Sequence, residues 1–223
     1  LNKIGEGIGF DDSDVAALKQ RIWRRDRSGT VDWVNMVDSQ PLPDLGDAIH
    51  LYNTNREVKA RNQQVLERAR AAGSKVRTYT ADITPGSYSL EEIISEVSPM
   101  ERELTLAEGL KFMVRVNINE VLTNGTIGLI KKLEVSRILL ELPDGNEHWV
   151  SMIEIPLPSN KHGNPVGVFL QLPGVLAHAM TPWKAQGLTF DEPMAYHVNN
   201  WYGSHGLFYV VVSRVTKPEY LYV

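Results

Sequence analysis

Residues 177–190 read Ala-His-Ala-Met-Thr-Pro-Trp-Lys-Ala-Gln-Gly-Leu-Thr-Phe. Thr181, Lys184, Gln186 and Thr189 fall within this short run, with Gly187 among them and aromatics on either side. Lys and Gln are seldom fully buried without partners, so this many donors in one turn fit contact with a polyanion. A solvated loop leading into a short helix is the alternative reading. Other chemistries find less support. His50, His148, His162, His178, His197 and His205 show no i, i+4 ligand spacing, which speaks against a histidine metal site. The sequence has no cysteine, which excludes a disulfide framework and Cys-ligated zinc. No paired-carboxylate or nucleophile–base set is legible. No G-x-x-x-x-G-K-[ST] occurs, so the chain has no phosphate-cradling loop of that kind.

The elements that would position the 177–190 stretch read as α/β. Asp11, Asp12 and Ser13 can cap a helix starting near Asp14, with Val15, Leu18 and Ile22 at helical spacing. Arg21, Arg24 and Arg25 then fall at its solvated end or form a phosphate contact. Asp47–Tyr52 is strand-like. Asn53-Thr54-Asn55 is a polar turn, and Val58, Val65, Leu66 and Ala69 mark one face of a helix that Gly73 can end. Strand, short turn and helix make an α/β unit, whose turn would lie at the carboxyl end of the strand, where open α/β sheets bind ligands. Val76–Ala81 is a further strand. Ser89 and Glu92 form a capping box for a short helix carrying Leu90, Ile93, Ile94 and Val97.

Beyond Pro99 the pattern changes. Leu110, Phe112, Val114 and Val116 alternate with polar or flexible residues, as in a half-buried strand. Asn124-Gly125 and Pro143-Asp144-Gly145-Asn146 are turn signals, and Ile127–Leu133, Ile138–Leu142 and His148–Ile155 read as strands. Short strands at this spacing predict a small antiparallel barrel, inserted into or appended to the α/β unit. The loop 156–165, rich in Pro, Gly and Asn, leads out of it. Val166–Leu172, Tyr196–Val198, Leu207–Val212 and Tyr220–Val223 complete the expected strands, Leu207–Val212 on β-propensity alone. Gly5, Gly7 and Gly9 do not meet G-x-G-x-x-G and read as an entry segment.

Composition sets outer bounds. With 223 residues, 43% hydrophobic and 22% charged, the chain suits one large domain or a domain with a small insertion. The net charge of −4 does not by itself indicate a basic nucleic-acid binder, although a local groove can still be basic. No apolar run reaches the ~20 residues needed to span a bilayer, and no signal peptide is visible, so no membrane partner is expected. The first residue is Leu1, which suggests a piece of a longer chain.

Four segments in series resemble the C-terminal motor half of PIF-type superfamily 1 DNA helicases, related to RecD. They are Leu51–Asn55 with Val58 and Asn62; Met113–Asn117 with Leu122-Thr123-Asn124-Gly125-Thr126-Ile127-Gly128; the 177–190 stretch, similar to motif V; and Gly206–Val215, similar to motif VI. The resemblance implies a RecA-like domain of the P-loop NTPase type carrying a small antiparallel β-barrel insertion. Residues 1–103 would be its first part, 104–165 the barrel, and 166–223 its second part. It further implies ATP-driven 5′ to 3′ movement on single-stranded DNA, with ATP and Mg²⁺ held mainly by a missing N-terminal RecA-like domain. The fragment alone would then be inactive. The location implied is intracellular: the nucleus in a eukaryote, otherwise the cytoplasm.

The resemblance also assigns roles. Arg214 would be an arginine finger on the γ-phosphate; an ordinary surface or ion-paired Arg is the alternative. Gln186 would orient a water or a phosphate oxygen, and Gly187 would let backbone approach the nucleotide; a helix-terminal turn is the alternative. Thr181 and Lys184 would hold DNA phosphates. Thr54 and Asn55 would do the same, or only cap their helix. Trp183 would stack on a base or be buried. Asn124 and Thr126 read as turn chemistry first. The resemblance makes Gly206–Ser213 helical, against propensity, and we follow it because domain packing overrides local preference. Trp183, Ala185 and Leu207 depart from the family, and Glu6 falls where an Arg is expected. Glu6 and Leu207 favour a second reading, a degenerate helicase half that holds single-stranded nucleic acid without turnover.

Overall fold

A computed structural model describes residues 12–25, 33–35, 45–85, 101–156, 167–198 and 206–223. The glycine-rich entry with Glu6, the 89–97 capping box and helix, and most of the 156–165 loop lie outside these. The chain forms two compact units, residues 1–61 with 178–223, and residues 62–177.

The first unit opens with α1 (Asp12–Lys19) and an antiparallel pair, β1 (Trp23–Arg25) and β2 (Trp33–Asn35). Arg24 and Arg25 are therefore strand residues, not a helix end. Next come β3 (Ile49–Tyr52) and α2 (Asn55–Ala71), which begins in this unit and ends in the other. The turn between them is fixed locally. Thr54 Oγ1 accepts from the Glu57 backbone N–H at 3.3 Å and donates to Glu57 Oε2 at 2.6 Å, and Val58 N–H donates to the Thr54 carbonyl at 3.2 Å. That is the start of a helix with its first donors satisfied by a side chain. At the far end, Gly73 takes φ +85° and ends α2 as expected.

The second unit is antiparallel throughout. It contains β4 (Val76–Thr80), β5 (Asp82–Pro85), β6 (Glu103–Ala107), β7 (Lys111–Val114), β8 (Ile127–Leu133), β9 (Arg137–Glu141), β10 (Glu147–Ser151), β11 (Ile153–Pro156), β12 (Gly167–Gln171) and β13 (Gly174–Leu176). Five strands run in the order β10-β9-β8-β7-β13, three in the order β11-β12-β5, and β4 pairs with β6. Inward residues alternate along β9 and β8, so Ile138, Leu140, Ile130 and Leu133 are essentially inaccessible. They join Val65, Leu66, Tyr79, Leu106, Phe112, Val114 and Leu172 in one core. The predicted turn at 143–146 forms, with Gly145 at φ +83° and Asp144 Oδ1 accepting from Asn146 N–H at 2.9 Å. Asn124 and Thr126 do turn chemistry. Asn124 N–H donates to Asn117 Oδ1 at 2.8 Å, and Thr126 Oγ1 accepts from Thr123 N–H at 3.0 Å.

The chain then returns to the first unit through β14 (Ala179–Met180), β15 (Met194–His197), α3 (Leu207–Val212), a 3-10 turn at Pro218–Tyr220 and β16 (Leu221–Tyr222). All four sheet strands are parallel, in the order β14-β3-β15-β16. Parallel strands buried on both faces read as continuous runs, not alternations, and Ile49, Leu51, Met194 and Tyr196 are each at most 2% exposed. The 177–190 stretch, expected as a polar turn, also holds a strand, and Leu207–Val212 takes the helix that the resemblance implied. The core strand, β14, is two residues long and so leaves no periodic trace. Leu207–Val212 is a helix, with Leu207, Val211 and Val212 buried along one side. Its β-branched run favours a strand locally, and packing of that side overrides the preference.

Candidate functional site

The turns after β3 and β14 leave the same edge of the parallel sheet. Met180 pairs with Leu51, so Thr181 follows β14 about where Tyr52 ends β3. This carboxyl edge is where α/β sheets bind ligands.

Residues 181–187 form one compact turn. The Thr181 carbonyl accepts from Lys184 N–H at 2.9 Å and from Ala185 N–H at 3.1 Å. Thr181 is buried, 6% exposed, and its hydroxyl lies 3.4 Å from Lys184 N. It therefore shapes the turn from inside. Ala185 is fully buried and anchors the other end. Trp183 is 55% exposed, while Lys184 is half-buried and Gln186 and Gly187 are exposed. Gly187 has φ +86° with open space where a Cβ would point, so the glycine serves conformation and leaves its backbone approachable.

Arg214 is drawn to this turn. Its Nη1 donates to the Leu188 carbonyl at 3.0 Å, its Nε to the Val210 carbonyl at 2.9 Å, and its Nη2 to Ser213 Oγ at 2.8 Å. The backbones are zipped as well: Phe190 N–H donates to the Arg214 carbonyl at 2.7 Å, and Thr216 N–H to the Phe190 carbonyl at 3.0 Å. Arg214 is thus bonded to the carbonyl of Leu188, the residue that follows Gln186 and Gly187. Thr54 and Asn55 are exposed at the start of α2, on the neighbouring strand's turn, with the Thr54 hydroxyl engaged in its capping box.

One cluster escaped the sequence. His50 and Tyr52 lie on one face of β3, and His197 pairs with Tyr52 across the sheet. Tyr52 and His197 stack with centroids 4.3 Å apart at 5°, and His50 Nδ1 lies 2.8 Å from His197 Nε2. His50 Nε2 faces both the Leu45 carbonyl at 3.1 Å and Arg61 Nη2 at 3.0 Å. A neutral ring satisfies only one of these: a proton on Nε2 serves Leu45, and its absence serves Arg61. The i, i+2 spacing of His50 and Tyr52 was visible, but His197 is 147 residues away and only strand order joins them.

Both rings are held neutral. Burial first, then Arg61, lowers His50 from 6.5 to about 3 and His197 from 6.5 to about 4. The unfolded chain takes up these protons near pH 6.5 while the folded chain does not, so stability is full above that pH. It is lost as pH falls from 6.5 toward 4. The loss is on the order of 1–2 kcal/mol per ring at pH 5. A thermal melt series between pH 7.5 and 5 should show this decline, and His197→Gln should flatten it. Equal slopes for the two proteins would contradict the assignment.

The parallel sheet with its polar carboxyl edge places the first unit among the open α/β domains. The comparisons with known proteins narrow that class. No family model matches the sequence. The chain is 26% identical over 166 residues to the ATP-dependent DNA helicase Pif1 of Bdellovibrio bacteriovorus, covering 74% of this chain and 37% of that protein. It is 23% identical to the ATP-dependent DNA helicase PIF1 of Trypanosoma brucei brucei, covering 84% of this chain and 25% of that protein. In fold it is similar to Pif1 helicase from Bacteroides solved with ADP-AlF3 and single-stranded DNA, with TM-score 0.65 at 22% identity over 99% of this chain and 47% of that one. The motif-based resemblance to PIF-type helicases is therefore matched by both sequence and fold, and the chain spans less than half the length of these relatives.

Proposed function

We propose that this chain is the C-terminal motor half of an ATP-dependent DNA helicase, moving 5′ to 3′ on single-stranded DNA. The observation that carries the proposal is the bonding of Arg214 to the Leu188 carbonyl, beside Gln186 and Gly187. In this reading ATP lies between this half and an N-terminal RecA-like domain that supplies the phosphate loop. Mg²⁺ would neutralise phosphate charge there. In this reading its ligands come from that other domain. Arg214 has five N–H donors in a planar fork. It meets the γ-phosphate as charge develops, Gln186 orients a water or phosphate oxygen, and the Gly187 backbone approaches the nucleotide. Trp183 stacks on a base, and Lys184, Thr54 and Asn55 meet the DNA backbone. Thr181 supports them by shaping the turn. Residues 104–165 are read as the small barrel inserted in the motor domain. A nuclear or cytoplasmic site of action follows from the reading. No helix among the described residues is long and apolar enough to cross a membrane.

Fluorescence anisotropy with a labelled oligothymidylate tests the DNA side on this chain alone. Binding should weaken as salt rises. Trp183→Ala should cost about 1–3 kcal/mol of affinity with the salt slope unchanged. Lys184→Ala should lower the slope by about 0.7–1. No detectable binding at low salt would overturn the reading of this edge as a DNA contact.

A further inference from the structure

We infer that Ser213 is the positioning residue of Arg214; this rests on the reading of Arg214 as the group that meets the γ-phosphate. Ser213 closes α3, its backbone N–H bonded to the Tyr209 carbonyl at 3.0 Å. Its hydroxyl donates to the Val210 carbonyl at 3.0 Å and accepts from Arg214 Nη2 at 2.8 Å and Nε at 3.3 Å. A hydroxyl has one donor and two acceptor sites, and here all three are engaged. The oxygen is thus fixed to the helix end and faces the inner edge of the guanidinium.

The Leu188 carbonyl holds Nη1 from the other side at 3.0 Å. With the Val210 carbonyl accepting from Nε at 2.9 Å, these anchors on different segments fix both the position and the plane of the fork. They use Nε–H and one N–H on each terminal nitrogen. One N–H on each terminal nitrogen remains, the pair that engages phosphate oxygens side by side. Without Ser213 the long side chain regains rotamer freedom and must be ordered anew at each turnover. A helix end needs no hydroxyl at this position, since its backbone bonds survive in Ser213→Ala.

The test uses the longer helicase chain for rates and this chain for spectroscopy. Ser213→Ala should lower kcat for ATP hydrolysis about tenfold with KM for ATP within about twofold, as expected for a lost charge-assisted hydrogen bond. Ser213→Thr, which keeps the hydroxyl, should recover kcat to within about threefold of the native rate. In ¹⁵N-edited spectra, the Arg214 Nη2 N–H of this chain, which Ser213 Oγ accepts at 2.8 Å, should exchange with solvent at least about tenfold faster in Ser213→Ala than in the native or Ser213→Thr proteins. Added to Arg214→Ala, the Ser213→Ala change should cost nothing further. Unchanged Nη2 N–H exchange, or a further loss in the Arg214→Ala background, would overturn the positioning role. A native rate for Arg214→Ala alone would instead overturn the reading of Arg214 itself.

Discussion

On the proposed helicase reading, replacing Arg214 with Ala in a protein that joins this chain to a phosphate-loop domain is expected to lower the rate of ATP hydrolysis by about 10³-fold or more. A guanidinium can deliver two parallel N–H groups to phosphate oxygens. Its gain appears as charge builds on the transferred phosphoryl group, so kcat should fall far more than ATP affinity. The fold around it fits a group that must be rigid before the nucleotide arrives. Three described acceptors hold it, from Val210, Ser213 and Leu188, and the Phe190–Val215 bridge locks the two segments together. Arg214→Lys should not rescue the rate, because an ammonium cannot span the same acceptors and two phosphate oxygens together. Single-turnover measurements with saturating ATP check this, and a rate within about twofold of native would remove Arg214 from the chemistry.

Replacing Phe112 with Ala is expected to cost about 3–5 kcal/mol of stability. Phe112 is fully buried in the core of the antiparallel unit, on β7 between β8 and β13. Its ring lies against Gly174, where an added Cβ would fall within the Phe112 ring and the Met113 carbonyl oxygen. Gly174→Ala alone should therefore destabilise by overpacking, about 1–3 kcal/mol or more. The two sites share one volume, so Phe112→Leu combined with Gly174→Ala should cost less than the sum of the two single changes. Urea unfolding of the native protein, the three single variants and the double variant checks both statements. A loss below about 1 kcal/mol for Phe112→Ala would mean that this ring does not anchor the core.

Much of this was legible in the residues, and the failures have physical causes. Asn53-Thr54-Asn55 announced its strand–turn–helix because capping is a local event, and Thr54 with Glu57 does it within three residues. The inward residues of β8 and β9 were legible because one face of an antiparallel strand is buried and the other is wet. By contrast, β14 is two residues long and β13 three, too short for any period to show. β5 and β6 were missed for a related reason: their partners, β12 and β4, are distant in sequence. Leu207–Val212 carried strand propensity and became a helix through burial of one side, which the motif pattern anticipated and composition did not. At the site, residue types pointed to 181–187, but burial of Thr181 and exposure of Trp183 depend on how Ala185 and Pro182 are packed. The His50–His197 contact is set by strand order alone.

We propose that DNA contact at the 181–187 turn and nucleotide chemistry at Arg214 are coupled through the bond from Arg214 to the Leu188 carbonyl, which follows that turn. Joining this chain to a phosphate-loop domain and measuring ATP hydrolysis with and without single-stranded DNA tests it directly. The rate should rise at least about tenfold on adding DNA, and Trp183→Ala should raise the DNA concentration needed for half-maximal stimulation by about 5-fold or more. A rate indifferent to DNA, in a protein that still hydrolyses ATP, would contradict the account.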